Sequence, residues 1–426
     1  MTAPEPPLPN DAPSSPGADL PTHTEVLIIG AGPAGSACAQ WVARAGLSVV
    51  MIDQHDFPRD KTCGDGLIPD AHAALRRLGV LDEVLRAGQP VTHVRCYAPS
   101  GRHVDVPGTL AVLPRRELDH ILVRAAQRAG ARLHTPWRFE APLIDEQGRV
   151  TGARVRRVGS QARETREVRA RHLVLATGAA PQGLVASGMC ERQTPSAIGL
   201  RGYVHFPGLD ARAGLHDKLQ VVWHRKLKPG YGWIFPCGDD VYNIGVGIID
   251  SHDGGPMRNV NLREVFAAFV KLHAPARELM AGGQLRGELK GAPLRSSLVG
   301  AALAKPGLLV TGEAAGSTYS FTGEGIGKAM ETGIIAGEAL LAARAQALDD
   351  EALAQHYRAA IAQLKPKFDL YEKGNRVNYH PWMTELLIRR AAHSPRLRQR
   401  MSNLLEEKST PAQLVTLRGL YRVLIE

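Results

Sequence analysis

Short apolar runs in the first half of the chain alternate with segments of helical periodicity. Residues 25–30 and 47–53 are rich in Val and Ile and predict strands that are buried on both faces. Residues 33–45 between them predict a helix, so the three segments indicate a βαβ unit. The same alternation recurs later, with a helix predicted at 117–129 and buried strands at 172–178 and 307–312. These segments predict one parallel sheet flanked by helices.

The pattern changes between residues 185 and 300. Stretches such as 220–224 and 242–249 alternate apolar and polar positions, which predicts a mostly antiparallel sheet with one covered face. We expect this part to form a second domain that is inserted into the first. From about residue 346 the sequence is helical, Arg-rich and poor in glycine, and its amphipathic end can pack on the body or meet a membrane.

The two ends and the cysteines bear on where the protein works. Residues 1–22 contain seven prolines and no Lys or Arg, so they lack the features of a secretory signal and predict a disordered tail. No window reaches 18 uninterrupted apolar residues, which predicts no spanning helix. The five cysteines contain no C-x-x-C pair and predict neither a disulfide framework nor a metal site. We expect a cytoplasmic protein, either soluble or attached peripherally to the inner face of the membrane.

The charge balance indicates the kind of partner. Lys and Arg number 52 against 42 Asp and Glu, a formal net charge of +10, which favours anionic partners such as phosphate-bearing cofactors and anionic lipid surfaces. The basic residues are dispersed and aromatic residues make up only 5% of the chain, so stacking platforms and basic tracts are both lacking. The sequence therefore argues against nucleic-acid binding.

A G-x-G-x-x-G motif formed by Gly30, Gly32 and Gly35 lies directly between a predicted strand and a predicted helix. Its glycines allow a tight turn, close approach of the backbone to a pyrophosphate, and close packing of helix on strand. The helix starts at Pro33-Ala34, and its N-terminal N–H groups can bind the phosphates. Asp53 ends the second strand, where a carboxylate accepts hydrogen bonds from a ribose and disfavours a 2′-phosphate.

FAD and NAD share this motif, and a second glycine cluster favours FAD. Residues 312–316 and 323–327 follow the last predicted strand and repeat the arrangement of strand, glycine turn and helix. Two such turns can hold one long dinucleotide. We therefore expect an α/β protein with a Rossmann-like FAD-binding domain, an inserted β-sheet substrate domain and a C-terminal helical region. The expected bounds are 1–22 for the tail, 23–90, 112–184 and 300–345 for the FAD domain, 91–111 and 185–299 for the substrate domain, and 346–426 for the helices.

With these motifs the chain resembles the geranylgeranyl reductase family, flavoproteins of the p-hydroxybenzoate hydroxylase-like fold that saturate isoprenoid double bonds. The resemblance covers roughly residues 24–340. It rests on F-P-R-D-K-T-C-G-D-G-L at 57–67, on Y-x-W-x-F-P followed by G-x-G within 229–247, and on R-x-x-L-D at 115–119. Within the family the chain is most similar to bacterial menaquinone-type reductases, which hydrogenate one double bond of a quinone's prenyl tail.

The resemblance and the glycine motifs together assign site residues. Contacts with FAD are expected from Gly30, Gly32, Pro33, Ala34, Gly35, Asp53, Gly64, Arg115, Gly178, Gly312, Glu313, Gly323, Gly325 and Ile326. The resemblance implies a substrate cavity lined by Tyr203, Tyr231, Trp233, Phe235, Pro236, Gly245 and Gly247. The spacing of Trp233 and Phe235 fits either a cavity wall or a core layer. Two positions depart from the family pattern: Glu313 replaces the usual Asp, and Ser320 stands where a proline is frequent.

Reduction of an isolated alkene needs a hydride at one carbon and a proton at the other. Candidate proton donors are Cys63, Asp65, Tyr231 and Glu324, and the resemblance favours a place for Cys63 in the site, against its alternative role as a small buried hydrophobe. No second G-x-G-x-x-G motif predicts a nicotinamide domain. The reductant is therefore expected to be NADPH that docks transiently or an electron-donor protein.

Other functions remain open on the sequence. The same fold hosts flavin monooxygenases and halogenases, although Tyr231-Gly-Trp-Ile-Phe-Pro differs from the W-x-W-x-I-P of halogenases. A flavin dehydrogenase that passes electrons to a quinone or to an iron–sulfur partner is a second alternative. A non-catalytic FAD-binding sensor is a third.

Overall fold

The computed structural model describes residues 19–159, 164–208, 217–249 and 260–409, and the statements below concern these residues. Most of the expected N-terminal tail, and the end of the C-terminal region, lie outside them. The described residues form two large sheets, each of eight strands, together with helices that cover them. This arrangement matches the α/β class with an inserted, mostly antiparallel sheet that the sequence predicts.

The first sheet belongs to the nucleotide-binding part. Its strands are β1 (His23–Ile29), β2 (Val49–Ile52), β6 (Arg132–His134), β7 (Trp137–Ile144), β8 (Val150–Arg157), β9 (Thr165–Leu175), β15 (Ala304–Lys305) and β16 (Leu308–Val310). They run in the order β15-β16-β9-β1-β2-β6, with the hairpin β7-β8 joined to β9. Strand β1 is parallel to both neighbours, with Val26 opposite Val49 and His172. Apolar clusters cover both faces, which explains the uninterrupted Val and Ile runs.

The second sheet forms the inserted domain. Its strands are β3 (Gly66–Leu67), β4 (Gln89–Tyr97), β5 (His103–Val112), β10 (Ala197–His205), β11 (Lys218–Val222), β12 (Gly230–Pro236), β13 (Val241–Ile249) and β14 (Gln284–Leu294). The strand order is β14-β10-β13-β12-β11-β4-β5-β3, and every pairing except β4 with β11 is antiparallel. Two helices between 262 and 282, which the sequence did not predict, cover one face: Phe266 and Phe269 pack on it from the first helix, and Ala276 and Leu279 from the second. The opposite face is free to line a cavity.

The helices connect the two sheets. They are α1 (Pro33–Arg44), α2 (Pro69–Leu78), α3 (Leu81–Ala87), α4 (Arg115–Arg128), α5 (Gln182–Ala186), α6 (Leu262–Leu272), α7 (Ala274–Gly282), α8 (Ile326–Gln346), α9 (Asp350–Ala362), α10 (Lys365–Gly374), α11 (Arg376–Tyr379), α12 (Pro381–Ala391) and α13 (Pro395–Leu405). Helix α8 crosses α1 so closely that a Cβ on Gly333 would lie 2.2 Å from the carbonyl oxygen of Ala34. This crossing brings the two glycine-rich turns to one place.

The C-terminal helices divide between the two domains. Tyr357 of α9 donates a hydrogen bond to the Val310 carbonyl at 2.7 Å and joins the core of the first sheet. Ile388 of α12 and Leu397 of α13 pack instead against β4 and β5 of the second sheet. The described part of this amphipathic region therefore packs on the body. Among the described helices, we find none that combines the length and the apolar character needed to cross a membrane.

Candidate active site

Two arginines and one buried acid surround the start of α1. A Cβ on Gly32 would lie 3.6 Å from Nη2 of Arg59 and 3.9 Å from Nη2 of Arg115. Arg115 makes a bidentate pair with Asp119 at 2.6 and 2.8 Å, and Arg59 approaches the same carboxylate at 3.0 Å. One negative charge thus orients two guanidinium groups beside a helix N-terminus, an arrangement that suits a pyrophosphate. The sequence reading did not predict Arg59, although Arg59 lies within the 57–67 motif.

Asp53 is held as a carboxylate beside this cradle. Its Oδ2 accepts a hydrogen bond from the Ala31 N–H and its Oδ1 accepts one from the His55 N–H, both at 3.0 Å. Burial opposes ionisation, but the interaction with His55 and the charge of Arg59 outweigh it, so the pKa of Asp53 lies below its usual value. An ionised acceptor at this position fits the ribose of a dinucleotide.

A continuous cavity of about 870 Å³ extends from the cradle, under the second sheet, to the C-terminal helices. The residues expected at the site that line it are Gly30, Gly32, Pro33, Ala34, Asp53, Cys63, Gly64, Asp65, Arg115, Gly178, Tyr231, Trp233, Phe235, Gly247, Glu313, Gly323, Glu324, Gly325 and Ile326. Five others, Gly35, Tyr203, Pro236, Gly245 and Gly312, lie outside its lining. The structure therefore brings most of both predicted sets to one space.

The far end of the cavity is apolar and was not anticipated from the sequence. Val94, Cys96, Val106, Leu387, Ile388, Met401, Leu404 and Leu405 line it. They come from β4, β5, α12 and α13, so the inserted sheet and the C-terminal helices build this end together. No local motif marks it, because its residues are ordinary apolar positions in amphipathic elements.

Asp65 is the centre of a buried hydrogen-bond network. Its side chain is fully buried and accepts from Tyr203 Oη at 2.5 Å, from Asn243 Nδ2 at 2.7 Å and from the Arg115 N–H at 3.3 Å. Burial raises its pKa to about 6, although these donors and nearby arginines oppose the shift. Both carboxylate oxygens are thus engaged in holding the 63–66 turn. Tyr203, which lies outside the cavity, acts through this contact.

Asn243 connects the same network to the cavity wall. Its amide donates to the Cys63 carbonyl at 2.8 Å and its oxygen accepts from Trp233 Nε1 at 2.9 Å. Trp233 lies between Tyr231 and Phe235, with both ring centroids 6.3 Å from its own. These three rings form one aromatic wall that faces Cys63 and Gly64. The sequence did not predict Asn243 as a site residue, although it lies two residues before the G-x-G segment.

Glu324 lies between Gly323 and Gly325 in the second glycine turn and lines the cavity. Burial, reinforced by the charge of Asp70, raises the pKa of its carboxyl to about 8, so it carries a proton at neutral pH. The Tyr231 hydroxyl donates to the Thr322 carbonyl of the same turn. Cys63 is also a neutral thiol, since burial and the charge of Asp65 raise its pKa. Glu324, Cys63 and Tyr231 all line the cavity with a proton bound at neutral pH, and of these three the Glu324 carboxyl has the lowest pKa and releases its proton most readily.

Gly245 leaves the space that the Trp233 ring occupies. A Cβ there would lie 2.3 Å from Cζ2 of Trp233, whereas a Cβ on Gly247 would lie at an ordinary 3.7 Å from the ring. We expect Gly245→Ala to displace the ring and to lower the free energy of unfolding by about 1–3 kcal/mol, as overpacking does. Gly247→Ala should change it much less. Denaturant unfolding of both variants, followed by Trp fluorescence, tests this, and equal losses would contradict it.

Comparison with known proteins agrees with this geometry. A model of the FAD binding domain matches residues 23–357. The chain is 33% identical over 330 residues to the menaquinone reductase of Mycolicibacterium smegmatis, covering 74% of this chain and 76% of that protein. It is 29% identical over 345 residues to digeranylgeranylglycerophospholipid reductase 1 of Methanococcoides burtonii, covering 78% of each. The chain belongs to the geranylgeranyl reductase family. It is therefore an FAD-dependent oxidoreductase, and the sensor alternative is set aside.

The fold of this family member is shared more widely. A geranylgeranyl bacteriochlorophyll reductase-like protein of Thermoplasma acidophilum superposes with a TM-score of 0.70 at 21% identity, over 95% of this chain and 96% of that one. A flavin-dependent brominase superposes with a TM-score of 0.69 at 20% identity, over 95% and 98%. At these identities the likeness concerns the fold alone.

The residues around the glycine turns suit the FAD that this family binds. The paired arginines supply a cationic cradle, and the ionised Asp53, 3.8 Å from Arg59, supplies a hydrogen-bond acceptor beside it. Glu313 lines the cavity from the second turn. FAD, when bound here, supplies the hydride.

Proposed function

We propose that this protein reduces one carbon–carbon double bond in the prenyl tail of a quinone. The observation that carries the proposal is the cavity itself, which joins the nucleotide cradle to an apolar end lined by C-terminal helices. A long apolar end suits a polyprenyl chain, because burial of apolar surface drives its entry. The names of the bacterial and archaeal relatives, menaquinone reductase and digeranylgeranylglycerophospholipid reductase, support the same class of substrate.

The chain's own residues would prepare the alkene for reduction. The rings of Trp233, Phe235 and Tyr231 form a wall against which the prenyl chain of the substrate lies flat. Helices α12 and α13 exclude water from the apolar end. The Glu324 carboxyl donates the proton to one alkene carbon, and the Tyr231 hydroxyl fixes the turn that carries Glu324. The Asp65 network fixes the position of Cys63 relative to Trp233, because Asn243 hydrogen-bonds to both.

The direct test is anaerobic turnover. The purified protein is reduced with dithionite and offered menaquinone or geranylgeranyl diphosphate, and the products are analysed by mass. We expect a product two mass units heavier in the prenyl tail, together with reoxidation of the flavin. Flavin that stays reduced until oxygen is admitted would instead support a monooxygenase. Reoxidation with an unchanged tail would support a dehydrogenase that delivers electrons to the quinone ring.

We propose further that the electron donor docks transiently, as NADPH or as a donor protein. The only nucleotide fingerprints in the sequence are those used for FAD. Anaerobic bleaching of the flavin absorbance on adding NADPH would identify the nicotinamide as donor. Absence of bleaching would leave a protein donor as the reductant.

We also propose a peripheral membrane contact at the start of α12. Trp382 is 59% exposed there, and the opposite side of the helix, with Leu387 and Ile388, lines the cavity. Trp223, which borders the cavity, donates to Asn378 of α11, the short helix before α12, at 2.8 Å, and the exposed Arg225 and Lys226 follow Trp223 along the chain. An exposed Trp together with exposed cations fits an anionic lipid surface.

Replacing Trp382 with Ser should weaken binding to phosphatidylglycerol vesicles by about fivefold or more, because an interfacial ring is lost. Ile144→Ser is the matched control, since Ile144 is also exposed, at 55%, but lies in the hairpin of the first sheet. Vesicle sedimentation measures both variants. Equal binding by the wild type and the Trp382 variant would exclude this helix as the contact.

A further inference from the structure

A group of buried and partly buried charges surrounds Lys328, in the first turn of the helix that follows Glu324. Nζ of Lys328 is 3.8 Å from Asp70, 2.9 Å from Glu331 and 3.4 Å from Glu407. The exposed side-chain fractions of these acids are 3%, 32% and 18%, respectively. The three carboxyl groups therefore range from that of Asp70, which is enclosed, to that of Glu331, which solvent reaches.

Asp70 is the unusual member of this group. Both of its carboxylate oxygens are buried and have no hydrogen-bond partner among the described residues. The carboxyl packs against the first turn of α8, where a Cβ on Gly327 would lie 2.4 Å from its Cγ. A larger residue at 327 would therefore displace it. An unsatisfied buried carboxylate is costly unless it holds a proton or exchanges one.

Asp70 and Glu324 both lie at the start of α8. Gly325 is the N-cap of this helix, Glu324 precedes the cap, and Gly327, against which Asp70 packs, lies in the first turn. Burial, and after it the charge of Asp70, raise the pKa of the Glu324 carboxyl to about 8, and burial raises the pKa of Asp70 itself to about 7. Two neighbouring acids that both titrate near neutrality can share protons.

We propose that Asp70, held by Lys328, is a proton-relay residue that reprotonates Glu324 from solvent through Glu331 or Glu407. The inference rests on the proposed function. In each turnover the Glu324 carboxyl loses its proton to one alkene carbon while the other carbon gains the hydride. Asp70 then passes a proton to the Glu324 carboxylate and regains one through the partly exposed Glu331 or Glu407, so one solvent proton is consumed per bond reduced. Lys328 remains charged and holds the carboxyl groups together.

Other ionisable groups surround this path. Glu324 faces Tyr231 from β12 and Tyr371 from α10, and it also feels the charges of Lys328 and Glu407. Asp70 is influenced by Lys328, Glu407 and Glu331, and Tyr319 lies beside the group. Burial raises the pKa of each of these tyrosines, so they stay neutral near pH 7 and do not compete for the proton.

The test compares Asp70→Asn with the wild type in two measurements. The first is the infrared C=O stretch of protonated carboxyl groups, followed against pH. Removing the neighbouring negative charge should move the midpoint at which Glu324 loses its proton to lower pH. The Glu324 band is assigned by its loss in Glu324→Gln. This measurement needs no turnover, so it remains informative if the protein reduces no prenyl chain.

The second measurement compares the first turnover of dithionite-reduced enzyme with repeated turnover. We expect the first turnover of Asp70→Asn to stay within about twofold of wild type at a pH below its midpoint, and repeated turnover to fall about tenfold or more, as loss of proton transfer predicts. Asp82→Asn, an exposed change on the neighbouring helix α3, is the control. An unshifted Glu324 midpoint, or equal slowing of first and later turnovers, would overturn the relay.

Discussion

Replacement of Glu324 with Gln should lower the rate of prenyl reduction by about 10²–10⁴-fold, the usual contribution of a general acid. The amide keeps the size of the side chain but carries no acidic proton. FAD binding should survive, because the cradle of Arg59, Arg115 and Asp53 lies at the other glycine turn. The flavin absorbance of the purified variant checks the binding, and single-turnover product formation checks the chemistry.

The pH dependence of the wild type adds a second signature. Glu324 must be protonated to act, and its pKa of about 8 lies above the ordinary value of 4.5. Activity should therefore be present below this pKa and fall as pH rises through about 8. Glu324→Gln should lack this falling limb. Tyr231→Phe, which removes only the hydroxyl that donates to the Thr322 carbonyl, should keep the limb with a milder loss of rate.

An alternative outcome would redirect the assignment. If Glu324→Gln keeps its rate within about threefold of the wild type, Glu324 is not the general acid of this site. Cys63, a partly buried thiol, and Tyr231 would then be the remaining neutral acids among the candidates that line the cavity. Cys63→Ser and Cys63→Ala would be the next variants to measure.

The nucleotide-binding half was predictable because its signals are local. The strand, glycine turn and helix at 23–44 follow each other without interruption, and the parallel pairing of β1 with β2 requires the helix between them. Arg59 could not be predicted from this motif. Its role depends on Asp119, sixty residues later, which α4 brings to the cradle.

For the inserted domain, the sequence predicted only the type of sheet, a mostly antiparallel one. Alternation identifies strands such as β13, but it does not show that α6 and α7 cover one face, since their apolar residues belong to short amphipathic segments. The apolar end of the cavity is less predictable still. It arises where α12 and α13 meet β4 and β5, contacts between segments about 300 residues apart.

The role of Asp65 shows why a motif residue is not always the reacting group. The sequence places it beside Cys63, and the family resemblance makes it a candidate acid. In the structure its two oxygens accept hydrogen bonds from Tyr203, Asn243 and the Arg115 backbone, so both oxygens hold the 63–66 turn in place. A residue engaged in this way stabilises the fold of the site rather than exchanging a proton with the substrate.

Replacement of Asp65 with Ala should accordingly lower the free energy of unfolding by about 3–5 kcal/mol, as removal of one partner from a buried polar network does. Three donors would lose their acceptor in a fully buried place. Chemical denaturation and retention of flavin on gel filtration measure the effect. Asp105→Asn is the control, because Asp105 pairs with Arg95 at 2.6 Å with 31% of its side chain exposed. We expect that change to cost less than about 1 kcal/mol.

Asp65→Asn separates the structural role from a chemical one. The carboxamide keeps one acceptor oxygen, which in the place of Oδ2 can still accept from both Tyr203 and Asn243, so only the Arg115 N–H loses its acceptor and less stability is lost than with Ala. If Asp65 only holds the 63–66 turn, the folded, FAD-bound fraction of Asp65→Asn should reduce the prenyl tail within about tenfold of the wild-type rate, because the acid that donates the proton is intact. A fully folded Asp65→Asn protein that had lost more than this, together with the falling limb of its pH profile, would move the proton donor from Glu324 to Asp65.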